Sequence, residues 1–339
     1  MPLKSREIIR EAWEFTQRNK KMIIWYAFVP SLLTTLTGML YLVYQYFAFR
    51  SSPLFENWEQ SFTTLVVTNV LSVIRDNFST TLPLIIAAVI IGILYIFIPS
   101  FCEGAIIQLV ARRRNGQDVR TRDGIRHGFL SFLPLFEYSW IIRTFSLVSF
   151  LTWAAFVARN LGWAALNTFA PIFIICMIVG VILTIIFTYT EFFIVIDDRK
   201  VIESIAKSSV LVVTHLEETI LLSILMIIIS LRIIIQIVFV LLIPIVVTAV
   251  IYGIASAALP TLALVVGGLI GLILLYIASY LSGTIHVFAS TVWTFTFLEL
   301  TGQEYINARG GKVNWQGESH EPAKVSIESE VETSATEDQ

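Results

Sequence analysis

From Thr219 to Leu259 the chain runs for about 40 residues with Arg232 as its single charged side chain. At 1.5 Å of rise per helical residue this is about 60 Å, roughly twice the hydrocarbon thickness of a bilayer. No water-soluble domain has a place for such a stretch. In hydrocarbon every backbone N–H and C=O must find its partner within the protein, and a continuous apolar run without strict alternation specifies helix rather than barrel strand. The run is too long for one straight crossing. Pro244 and the small-residue segment GIASAALP predict that the helix crosses by about Ile243, then bends to lie in the far interface or re-enter before Pro260.

Five further apolar runs tell the same story. They cover Met22 to Phe49, Leu82 to about Leu109, Phe129 to Val157, Leu166 to Ile196, and Leu262 to just before Gly302. The first exceeds the ~7 to 15 apolar residues of a signal-peptide core and lacks a small-residue cleavage site, so it is expected to remain as a span. The third and fourth are separated only by a short connector around ARNLGW and should form a helical hairpin. With 56% hydrophobic and 14% charged residues, the chain as a whole has no soluble alternative.

Charge placement sets the orientation, because short cytoplasmic loops keep Lys and Arg while translocated loops are poor in them. Lys4, Arg6, Arg10, Arg18, Lys20 and Lys21 precede the first span, and the segment after it holds only Arg50 and Arg75 among acids. Arg112, Arg113, Arg114, Arg120, Arg122 and Arg126 then crowd the loop ARRRNGQDVRTRDGIRHGF. The next turn has Arg159 alone, DDRK with Lys207 follows, and Arg309 and Lys312 come after the last span. Six spans with both termini cytoplasmic satisfy parity and charge together, and a seventh would put Arg309 and Lys312 outside. Residues 304–339 are acidic, rich in Ser, Thr and Glu, and expected to be a disordered cytoplasmic tail.

The spans also look repeated. SREIIREAW at Ser5 to Trp13, TRDGIRHGF at Thr121 to Phe129 and, more weakly, VIESIAKSSVLVV from Val201 each precede an apolar run and carry apolar residues at helical spacing. Residues 1–21 are thus read as a cytoplasmic amphipathic helix and residues 22–303 as the membrane domain. The expected fold is an all-α integral membrane helical bundle, six transmembrane helices as three repeats of interfacial amphipathic helix plus helical hairpin.

EGAIIQLVARRRNGQDVRTRDGIRHGFLSFLPLF, followed by EFFIVIDDRKVIESIAKSSVLV and STVWTFTFLELTG, resembles the uncharacterised bacterial and archaeal membrane proteins related to the membrane domain of glycerophosphoryl diester phosphodiesterases. The resemblance spans most of Leu82 to Gly302 and implies an all-helical membrane domain. It implies no activity, because the catalytic phosphodiesterase domain does not accompany it.

Ionisable residues inside the spans are costly unless paired, hydrated or able to snorkel. They are Glu103, Glu137, Arg143, Glu191, Arg232 and His286. Arg143 lies about 9 Å deeper than Glu137 along its helix, and Glu103 and Glu191 approach that depth from the other direction. A cytoplasm-facing polar pocket of Glu103, Arg143 and Glu191 is therefore expected. The six loop arginines are read as topology signals and anionic-lipid headgroup contacts, not as a nucleic-acid surface. Cys102 and Cys176 fall in apolar runs, the four histidines have no ligand spacing, and no metal or cofactor is expected. Two functions follow. One is a non-enzymatic protein organising or sensing the lipid surface, with membrane lipids as partners; the other is a small-solute transporter or permease using the polar pocket.

Overall fold

A computed structural model describes residues 2–50, 72, 75–76, 78–144, 147–229, 238, 242–243, 245–253, 260–301, 305–306 and 312–313. These residues are helical except for turns and a two-residue antiparallel ladder, Tyr305–Ile306 against Lys312–Val313, within the stretch expected to be tail. The helices are α1 (Pro2–Arg18), α2 (Lys20–Met22), α3 (Phe28–Arg50), α4 (Phe78–Arg114), α5 (Gly124–Thr144), α6 (Leu147–Ile186), α7 (Thr190–Ile196), α8 (Val201–Thr214), α9 (Leu216–Ile229) and α10 (Pro260–Thr301). Among the described residues, four stretches are long and apolar enough to cross a membrane: Lys20–Tyr46, Thr81–Arg114, Ser149–Ile196 and Thr261–Thr301. This is an all-α membrane architecture. Residues 145–146 of the expected third span, residues 230–237, 239–241, 244 and 254–259 of the fifth run, Arg232 among them, and most of the tail lie outside the described residues.

Local chemistry explains where the helices break. Asn19 ends α1, its side-chain amide donating to the Phe15 carbonyl at 2.8 Å, with φ −109° and ψ 41°. His215 ends α8 with nearly the same backbone, φ −123° and ψ 43°. Between α2 and α3 the residues Ile23–Ala27 form a wide π turn. Pro30 follows, and its ring would crowd the Tyr26 carbonyl four residues back in an ordinary α-turn. Gly162 interrupts α6 at φ +80°, inside the expected ARNLGW connector, in a conformation that glycine adopts without a Cβ penalty.

The second repeat copy differs from the expectation. Thr121–Asp123 make a 3-10 turn, closed by the Arg120 N–H donating to Asp123 Oδ2 at 3.0 Å, which leads straight into α5 without a break before Thr144. The segment is therefore the start of one continuous helix, not a separate interfacial one. Glycines explain why it can lie against α4: a Cβ on Gly128 would stand 2.6 Å from the Phe101 carbonyl oxygen, and one on Gly124 would stand 2.7 Å from Leu109 Cδ1 and Tyr26 Oη.

Burial is concentrated at one end of the bundle. Ala105 to Ala111 of α4, Val287 to Leu298 of α10, Phe192 to Val195 of α7 and the inner faces of α1 and α8 pack into two adjoining cores. The opposite halves of α4 and α10 instead show apolar residues such as Ile86, Ile90, Val265 and Leu272 to their surroundings. With 42 residues, α10 is about 63 Å long, so one half suffices for the ~30 Å hydrocarbon. At the far end Tyr41 donates to Thr152 Oγ1 at 3.3 Å and Arg159 donates to Gln45 Oε1 at 3.1 Å. Helical residues 245–253 run antiparallel to the start of α10, with Ile251 against Gly267 and Val247 against Gly271. That segment is packed along α10.

The glycine crossings make a contrasting pair of substitutions. Gly128→Ala should lower thermal stability in detergent by about 1–3 kcal/mol through overpacking against the α4 backbone. Gly92→Ala, where a Cβ meets nothing within 4 Å, should be neutral or slightly stabilising.

Candidate functional site

Two helix irregularities place two carboxylates. In α4, Pro99 has no N–H to give the Tyr95 carbonyl, and Glu103 stands one turn further on. Residues 187–189 unwind between α6 and α7, and Glu191 follows in the first turn of α7. Ser208 of α8 holds this break closed: its hydroxyl donates to the Ile186 carbonyl at 2.8 Å and accepts from the Tyr189 N–H at 3.1 Å. Tyr138 of α5 donates to the Phe187 carbonyl at 3.0 Å.

Glu103 and Glu191 line one cavity of about 290 Å³, together with Pro99, Ser100, Ser139, Ile142 and His286. His286 Nε2 lies 2.7 Å from Glu103 Oε2, and Ser290, one turn along α10, donates to the other carboxylate oxygen. The Ser100 and Ser139 hydroxyls are 3.3 Å apart across the α4–α5 contact. Arg143 sits in the last turn of α5, next to Ile142, and its side chain lies outside the described residues. Glu137 is exposed. His286 was visible as an intramembrane ionisable residue, but its partnership with Glu103 was not. The signal for that partnership is the His286–Ser290 spacing of four, which puts both on one face of α10.

The six loop arginines divide. Arg114 has a side chain only 8% exposed; it donates to the Phe295 carbonyl at 2.8 Å, lies 3.3 Å from Glu11 and 3.6 Å from Glu299, and covers the Phe295 ring at 4.1 Å. Arg113 donates to Asn19 Oδ1 at 2.6 Å, to the Val119 carbonyl and to Thr121 Oγ1 at 3.0 Å, so it shapes the loop. Arg112 reaches Gln108 Oε1 at 3.0 Å, and Gln108 in turn donates to the Val195 carbonyl. Arg113 and Arg114 thus spend their donors inside the protein rather than on headgroups, because the packed end presents carbonyls and carboxylates that need them, whereas among the described residues Arg112 is held there through its Nε alone. Arg120, Arg122 and Arg126 remain exposed, and Arg122 lies 5.9 Å from the ring of Trp25, itself 48% exposed. Comparison with protein-family models, with curated proteins and with solved structures finds no match to the chain.

Two outcomes follow for the loop. Arg114→Gln should lower stability in a thermal melt by about 2–3 kcal/mol, because Glu299 and the Phe295 carbonyl lose a charged donor, whereas Arg126→Gln should leave it within about 0.5 kcal/mol. The second concerns His127. Burial first, then Arg112 and Arg126, hold its imidazole below the ordinary histidine value, against an opposing pull from Asp123. The unfolded chain then takes up the proton first as pH falls, so stability is full above about pH 6.5 and declines below it. His127→Gln should flatten that decline, as read from melting temperatures across the range.

Proposed function

We propose that the chain is a non-enzymatic, six-span integral protein of the cell membrane, both termini cytoplasmic, that organises or senses the lipid surface. The observation that carries this reading is the exposed pair of Arg122 and Trp25. An aromatic ring beside an exposed guanidinium suits the headgroup level, where one end of the pair meets acyl chain and the other phosphate. Near them in sequence, Ile24 and Phe129 are exposed apolar residues and Lys20, Lys21 and Arg126 exposed cationic ones. On α8 the exposed face carries Ile202, Val210 and Val213, a surface suited to lying in an interface.

The matching backbone breaks at Asn19 and His215 support a repeated unit for the first and third copies. These positions correspond when Glu203 is laid on Glu7. Each break ends an amphipathic helix and lets the next helix start in a new direction. The resemblance noted from EGAIIQLVARRR onward supports the same architecture.

The function is tested by lipid selectivity. Replacing Arg120, Arg122 and Arg126 with Gln should reduce anionic-lipid enrichment around the purified protein, each residue contributing about 1 kcal/mol or roughly fivefold. The melting temperature should stay unchanged. Unaltered enrichment would remove the lipid reading. Orientation is tested separately: Asp118→Cys, on the exposed loop, should react with an impermeant thiol reagent only after the membrane is opened. Labelling of intact cells would invert the topology.

A further inference from the structure

The cavity between α4, α5, α7 and α10 is unlike the rest of the packed end. Every polar group lining it is an acceptor or can become one: two carboxylates, two serine hydroxyls and an imidazole. Glu103 has His286 and Ser290. Glu191 makes no hydrogen bond among the described residues, although Phe192, Phe193 and Val195 beside it are buried in apolar packing. No Lys or Arg of the described residues lines the space. A carboxylate held this way either takes up a proton or finds a positive counter-charge, since desolvation of the bare anion is costly.

The volume helps decide which cation. About 290 Å³ is far more than a bare ion fills, and among the described residues no three His, Cys, Asp or Glu side chains converge as metal ligands. A primary ammonium matches better, because it carries one charge and three N–H donors. Glu191 can take the charge while the Ser100 and Ser139 hydroxyls take the remaining donors, and Pro99 and Ile142 offer apolar wall to a short carbon stem. We propose that this cavity is a binding site for a primary ammonium group, with Glu191 as its counter-charge. Both a free small amine and the ethanolamine headgroup of a phospholipid carry that group. The site shares no residue with the Arg122 and Trp25 surface, and it stands or falls separately from the lipid-organising role.

The test uses the purified full chain. Ethylammonium titrated calorimetrically should bind, tetramethylammonium should bind more than about tenfold more weakly because it has the charge and no N–H donors, and sodium should not compete. Native mass spectrometry with phosphatidylethanolamine against phosphatidylcholine separates the sources. Retention of the former alone assigns the site to a headgroup, and calorimetric binding without such retention assigns it to a free amine. Glu191→Gln should weaken binding more than about tenfold while Glu137→Gln, on the exposed face of α5, leaves it unchanged. Ser139→Ala should cost a smaller, severalfold amount. Equal binding by wild type and Glu191→Gln would overturn the proposal, as would equal affinity for the two ammonium ions or no binding of either source. Tighter ammonium binding by Arg143→Gln would also overturn it, since the arginine would then already be the counter-charge of Glu191.

Discussion

A guanidinium enclosed at the end of a membrane helix must find acceptors for its donors, and Arg114 finds them on two other elements at once. Glu11 comes from α1, while Glu299 and the Phe295 carbonyl come from α10. Its position in the last turn of α4 adds a favourable interaction with that helix's terminal carbonyls. The first helix of the chain, the second long helix and the last one are thereby fixed to a single charged group. Around this tie the aromatic pairs Trp13–Phe288 and Phe15–Phe295 seat α1 on α10, and the interior from Ala105 to Ala111 closes beneath it. The cavity of Glu103 lies about three turns back along the same helix.

Three buried threonines of this packed end carry their own solution. Thr291, Thr294 and Thr296 each donate to the carbonyl four residues earlier, at 2.7, 2.7 and 2.9 Å, so the TVWTFT segment of α10 buries hydroxyls without needing partners on other helices. Their methyl groups then pack as an aliphatic surface. Glu191 has no such local remedy, which sets its surroundings apart from those of the threonines.

The helical class and the places where the chain turns were legible because they depend on local pattern. Long apolar runs, Gly162 in its connector and the amphipathic periodicity of α1 and α8 all belong to single segments. The nearness of Glu103 and Glu191 was legible from depth along two helices. What stayed hidden depends on neighbours far away in sequence. The pattern RRR reads identically whether its donors meet lipid phosphate or, as for Arg114, a carbonyl 181 residues later. The start of α5 looked like an interfacial helix because its exposed face is amphipathic. Only the close approach of Gly124 and Gly128 to Tyr26, Leu109 and Phe101 reveals that the other face is packed.

The seating of α1 also imposes an order in time. Trp13 meets Phe288 across 275 residues of chain, by subtraction of their numbers, and synthesis at ~5–20 residues per second separates their appearance by roughly 14–55 s. Tyr26 waits less, since its hydrogen-bond partner Thr121 emerges 95 residues later. Through that interval Ile8, Ala12 and Thr16, fully enclosed in the finished protein, have no α10 to cover them. A helix with one apolar stripe and a charged opposite side can rest on the membrane surface meanwhile, so the amphipathic pattern of α1 serves a nascent chain before it serves the folded one.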